Sequence, residues 1–152
     1  MTQPISSYQN TYEAEDFYTG ISGPAQSGHT LTELDYADPN MTGGYGTYME
    51  YAAVGSELNY SLFVPNAGSQ ATSIHVKSGV THGQFQVYLN GSATALPGGP
   101  FETYAAANGY PTISIGNVTY TAGVNTLTLK VSGKNTSATG YNLIIDNIQI
   151  TP

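Results

Sequence analysis

Glu57-Leu58-Asn59-Tyr60-Ser61-Leu62-Phe63-Val64 sets Leu58, Tyr60, Leu62 and Val64 on one face against Asn59 and Ser61 on the other. That period of two marks a half-buried β-strand. The pattern recurs along the chain. Ile74 and Val76 alternate with His75 and Lys77; Phe85, Val87 and Leu89 with Gln84, Gln86 and Tyr88; Leu127, Leu129 and Val131 with Thr126, Thr128 and Lys130. Val118 and Tyr120 continue it after Ile113 and Ile115. Turn chemistry separates these runs at Pro65-Asn66-Ala67-Gly68, Asn90-Gly91, Pro97-Gly98-Gly99-Pro100, Ala122-Gly123 and Ser132–Gly140. No long stretch carries a capped helical period. Many short, half-buried strands predict an all-β fold, a jelly-roll β-sandwich of two antiparallel sheets, with a barrel as the alternative.

At 152 residues the chain is the size of one domain. Residues 1–10 read as a linker or expression-derived start and 11–152 as a single module. Three lysines and no arginine stand against ten acids, a formal charge of −7, so nothing neutralises phosphates and neither nucleic acid nor an anionic membrane is an expected partner. Without cysteine there is no disulfide or thiolate chemistry. A low charged fraction with abundant Gly, Ser, Thr, Asn and Tyr suits a secreted, extracellular β-protein. The Asn-X-Ser/Thr triplets at Asn40, Asn59, Asn90, Asn117 and Asn135 reflect this composition and carry no inference.

Acids inside strand patterns stand out. Tyr12-Glu13-Ala14-Glu15 reads as a strand start with two carboxylates on one side, followed by Asp16, and Asp146 reads as sharing a face with Ile144, Ile148 and Ile150. A bare carboxylate on an apolar face is expensive unless compensated. With so few lysines, two readings stay open: solvent-facing acids at strand edges, or a hard cation such as calcium, which takes carboxylate and carbonyl oxygens. His29, His75 and His82 follow no metal-ligand spacing. Asp35-Tyr36-Ala37-Asp38-Pro39-Asn40 reads as a solvated turn, with a second cation as the lesser alternative.

Tyr12-Glu13-Ala14-Glu15-Asp16, Thr42-Gly43-Gly44-Tyr45 followed by Tyr48-Met49-Glu50-Tyr51, Leu58–Gly68, Val87-Tyr88-Leu89-Asn90-Gly91 and Gly140–Ile148 occur in an order that resembles the calcium-containing carbohydrate-binding modules of families six, thirty-five and thirty-six. The resemblance implies a β-sandwich with a structural Ca2+ joining the first and last strands. It implies Glu13, Glu15 and Asp146 as ligands, with a backbone carbonyl near Asp35. It also implies a non-catalytic module that targets a catalytic domain of the same parent chain to a polysaccharide.

Sugar recognition needs flat apolar faces for the C–H side of a pyranose and amides or hydroxyls for its rim. Aromatics cluster at Tyr45 and Tyr48 beside Gly43-Gly44, and at Phe101, Tyr104 and Tyr110 after the Pro97–Pro100 turn. By the resemblance, Tyr48, Tyr104 and Asn142 match a site in the loops at one end of the sandwich, with Tyr45 and Tyr110 as neighbours. The family's second aromatic is typically tryptophan, which this chain lacks, so the concave sheet face is the alternative site. Tyr51, Tyr60, Tyr88 and Tyr120 fall within strand patterns and are assigned to the fold. The low basic content points to a neutral polysaccharide or oligosaccharide. The alternatives are an adhesive or structural module without sugar affinity, and a small glycan-active enzyme using carboxylates such as Glu50 and Glu102. No nucleophile elbow, phosphate loop or His-Glu-X-X-His is present.

Overall fold

The computed structural model describes residues 11–152; residues 1–10, read above as a linker or start, lie outside them. In chain order the elements are β1 (Thr11–Glu13), α1 (Ala14–Phe17), β2 (Tyr18–Ser22), β3 (Thr32–Ala37), a short 3-10 turn (Thr42–Gly44), β4 (Tyr45–Glu50) and β5 (Glu57–Val64). There follow β6 (Gly68–Lys77), β7 (Gln84–Leu89), β8 (Phe101–Glu102), β9 (Thr112–Tyr120), β10 (Gly123–Gly133) and β11 (Leu143–Thr151).

Two antiparallel sheets form the expected sandwich. One runs β3-β4-β11-β6-β9, with β1 also paired to β11; the other runs β2-β5-β10-β7-β8. The inward sides of the quoted alternations meet between them: Leu58, Tyr60, Leu62, Phe85, Val87, Leu127 and Leu129 from one sheet, Met49, Ile74, Val76, Ile145 and Ile148 from the other, all buried. Burial of such side chains contributes roughly 1.5–3 kcal/mol each. Tyrosine fits this core only because its hydroxyl finds partners: Tyr60 bonds Thr47, Tyr120 bonds Thr72 at 2.7 Å, and Tyr12 donates to the Phe63 carbonyl.

Two expectations are corrected. The first strand ends at Glu13, so Glu15 projects from the four-residue helical turn rather than from a strand. The β11 ladder with β6 slips between Ile145 and Asn147, making Asp146 the extra residue of a β-bulge. The core face of β11 is therefore Leu143, Ile145, Ile148 and Ile150, and Asp146 does not share it.

Candidate functional site

The bulge sets the first site. On one flank of β11, β1 pairs with Asn147–Gln149 and β4 with Leu143–Ile145, leaving Asp146 in the gap where one strand stops and the other begins. The Thr42–Gly44 turn closes over this gap. Thr42 donates its backbone N–H to Asp146 Oδ1 at 3.0 Å and its hydroxyl to Oδ2 at 3.3 Å, while Asn147 Nδ2 donates to Thr42 Oγ1 at 3.1 Å. Gly43 is left-handed at φ 66, and a Cβ there would lie 3.7 Å from Glu15 Oε1. Glu15 thus lies under the same turn.

These acids are under-compensated. Buried oxygens of Glu13 (Oε2), Glu15 (Oε2) and Asn147 (Oδ1) have no hydrogen-bond partner, and such groups call for an explanation. Burial, then the charges of Glu15, Asp146 and Asp16, pushes the Glu13 carboxyl up. Burial likewise raises Glu15, with Asp16, Asp146 and Asp35 adding repulsion against a backbone hydrogen bond. Burial raises Asp146 against the opposing bonds from Thr42. Asp35 is exposed on β3, opposite Thr47. Hard oxygen donors with orphaned lone pairs and mutual repulsion suit a cation of calcium's type. Among the described residues, no three His, Asp or Glu side chains converge into a closed metal cage, so these carboxylates need carbonyl oxygens to complete a shell.

The second site lies where β4 and β6 end and β9 and β11 begin. Tyr48 is not a loop residue: it is half-buried in β4 and packs edge-on against Tyr36, with ring centroids 5.5 Å apart. Asn142 Nδ2 donates to the Tyr48 hydroxyl at 3.1 Å, and Asn142 Oδ1 accepts weakly from the Ala52 N–H at 3.4 Å. Asn142 bridges to His82 and Tyr104 to Gly79, within the turn that follows β6. The His82 N–H bonds the Gly79 carbonyl at 3.4 Å. The loop end thus brings Tyr48, Asn142 and Tyr104 onto adjacent segments. Tyr110 is exposed and donates to Asp38 Oδ2 at 2.7 Å. Tyr45, 49% exposed, begins β4, at the end of the strand away from Asn142.

A buried ion pair lies beneath this site, with no local sequence pattern to announce the pairing. Lys77 Nζ lies 2.7 Å from Asp38 Oδ2, donates to Tyr36 at 2.9 Å, and sits 4.8 and 5.7 Å from the Tyr36 and Tyr110 ring centroids. Asp38 Oδ1 accepts from the Asn40 backbone and side chain. The hydrogen bond from Lys77, reinforced by Tyr110 and Asn40, holds the Asp38 carboxyl well below its usual range despite burial. The segment Asp35–Asn40 is therefore neither a fully solvated turn nor a second cation site, because Lys77 already answers its buried acid. The outward alternation of Lys77 on β6 was the available signal. Tyr51 is not the strand residue its pattern predicts: it leaves β4 at φ 58 and stacks on His29, with centroids 4.2 Å apart.

A third feature is a groove on the outer face of the other sheet, about 370 Å3, lined by Glu57, Tyr88, Gly91, Ser92, Ala93, Thr128 and Lys130. Glu102, one of the acids considered for catalysis, accepts from Gln84 Nε2 and the Tyr104 N–H, both at 2.8 Å.

The family model for carbohydrate binding module (family 6) matches residues 21–152. The chain belongs to carbohydrate-binding module family 6. As a member it is a non-catalytic carbohydrate-binding module. No curated protein sequence matches it. Among solved structures it is similar to Paenibacillus xanthan lyase, with TM-score 0.79 and 26% identity over 93% of this chain and 13% of that one. It is similar in fold to the family 35 carbohydrate-binding module of Clostridium thermocellum (TM-score 0.60, 20% identity, 94% and 98% of the two chains). It is also similar in fold to a family 36 module in complex with calcium and xylotriose (TM-score 0.59, 15% identity, 93% and 98%). The module thus spans only a small part of the lyase's length.

Proposed function

We propose that this module binds a neutral polysaccharide at the loop end of the sandwich and thereby targets a catalytic domain of the same secreted parent chain. The observation that carries the reading is the Asn142–Tyr48 bond at 3.1 Å beside the Tyr104 segment. It offers an aromatic ring and an amide at one end of a family 6 fold. Tyr48 and Tyr104 supply apolar ring faces, Asn142 hydrogen-bonds sugar hydroxyls, and Tyr110 flanks them. Tyr45, at the far end of β4, is the weaker member of the set. A net charge of −7 and no arginine disfavour polyanions. The accessory role is supported by similar modules occupying 13% of the xanthan lyase and 28% of a Podospora anserina mannanase.

Glu13, Glu15 and Asp146, with backbone carbonyls including that of Asp35, would hold one calcium ion tying β1 to β11. When bound, the ion would neutralise these neighbouring carboxylates and satisfy the orphaned oxygens of Glu13 and Glu15.

A screen of soluble and insoluble polysaccharides, with reducing-end release measured in parallel, tests the reading. Retention on a neutral glucan, xylan, mannan or galactan without sugar release is expected. Stronger binding to pectin, alginate or xanthan would overturn the neutral assignment. The sheet-face groove beside Tyr88 supports a second reading, in which binding survives loss of Tyr48 and Tyr104 but not of Tyr88.

A further inference from the structure

Beyond Asn142 and Tyr48, the same end of the sandwich carries groups with no assigned role. Glu50 follows Tyr48 on the same outward face of β4 by strand alternation. The ion pairs among the described residues, Lys77–Asp38 and Lys130–Glu57, leave Glu50 out. Next to it, Tyr51 adopts the left-handed conformation at φ 58, an unusual state for a bulky residue and one that persists only where its surroundings enforce it. Its peptide is held by the Gln26 N–H, which donates to the Tyr51 carbonyl at 2.7 Å, and more weakly by the Ala52 N–H reaching Asn142 Oδ1 at 3.4 Å. The turned ring lies parallel to exposed His29, with 12° between planes. Burial raises the Tyr48 hydroxyl's pKa, and the charges of Glu50 and Tyr51 contribute, in keeping with all three sharing one neighbourhood.

We propose that Glu50, Tyr51 and His29 form a subsite adjoining Tyr48 and Asn142 that takes the next sugar unit of a neutral glycan chain. The carboxylate accepts from a pair of neighbouring hydroxyls, the charge-assisted bonding that favours acceptor-only groups. The outer face of the His29 ring, backed by Tyr51, supplies the apolar platform. The same carboxylate repels a uronate in this position, so selection against acidic sugars is a property of the subsite and not only of net charge. The inference rests on the loop-end reading above.

The test is calorimetric titration of the calcium-loaded module with glucose, xylose and mannose and with cellohexaose, xylohexaose and mannohexaose. Melting curves check the fold of each variant. The wild type gains affinity from monosaccharide to hexasaccharide for at least one series. Glu50→Gln removes roughly tenfold or more of that gain, the scale of a hydrogen bond to a charged group, and His29→Ala, which deletes the ring platform, roughly fivefold or more. Tyr51→Asn, which tolerates the left-handed backbone, acts in the same direction. Full hexasaccharide affinity in Glu50→Gln and His29→Ala, alongside its loss in Tyr48→Ala, overturns the subsite and leaves the main site standing. Wild-type affinity in both Tyr48→Ala and Tyr104→Ala, or no binding by the wild type, overturns the loop-end reading and the subsite with it.

Discussion

Asp38 and Asp146 are both buried carboxylates next to the same sheet, and the protein treats them oppositely. Asp38 has a lysine at 2.7 Å, a tyrosine hydroxyl and an asparagine around it, and its pKa is lowered. Asp146 has the Thr42 turn, with His75 and Asn147 as lesser influences, and lies near Glu13 and Glu15, whose own oxygens are orphaned; all three pKa values are raised by burial. With three lysines in the chain, the fold places one at Asp38, and among the described residues none forms an ion pair with Glu13, Glu15 or Asp146. Against that fully answered acid, the orphaned oxygens beside Asp146 are the feature that supports the calcium reading.

Loss of the internal cation should cost the most stability. Lys77→Met leaves Asp38 buried and unpaired, and thermal or denaturant unfolding should lose about 3–5 kcal/mol. A loss below about 1 kcal/mol, the scale of exposed pairs, would mean that the pair is solvated. Calcium removal comes next. A ligand bound only to the folded state stabilises it by roughly 3 kcal/mol at a hundredfold excess over Kd, so chelation should lower the melting temperature, whereas Glu15→Gln should make the melt indifferent to chelator.

A smaller effect joins the two regions to the sugar. Tyr48 lies between the Lys77–Tyr36 network and Asn142. Tyr48→Ala should weaken glycan binding by about 1–3 kcal/mol, by analogy with base stacking on aromatic rings. Tyr48→Phe separates ring stacking from the hydroxyl that Asn142 engages.

The pH dependence should carry opposite signs in the two regions. Asp38's lowered pKa contributes stability that is present above its unfolded value near 3.8 and lost as pH falls towards the folded value. For Glu13, Glu15 and Asp146 without metal, raised folded pKa values mean that stability declines as pH rises from the ordinary values of 4.5 and 3.8 towards the folded ones. Metal-free melting temperatures should therefore fall from pH 4.5 to 7 less steeply in Glu15→Gln than in wild type. Asp38→Asn should reduce the loss below pH 4.

The strands were legible because alternation survives without knowledge of partners, and the acids because a carboxylate amid isoleucines is anomalous wherever it lands. Their geometry was not legible. A bulge at Asp146 shifts the register by one residue without any change in local pattern. The turn holding Glu15 is too short to show a helical period. The Lys77–Asp38 pair spans 39 residues, so no local signal joins it. Tyr51 looked like a strand residue because a positive φ at tyrosine is held by the Gln26 and Asn142 contacts, which only the folded chain supplies.

The most direct test of the claim that the chain ends share one cation is calorimetric titration of chelator-stripped protein with calcium. One calcium per chain in the wild type, abolished by Asp146→Asn and by the double change Glu13→Gln with Glu15→Gln but retained in Asp38→Asn, is the predicted result. No calcium binding by the wild type, or binding that survives loss of Asp146 and both glutamates, would contradict it.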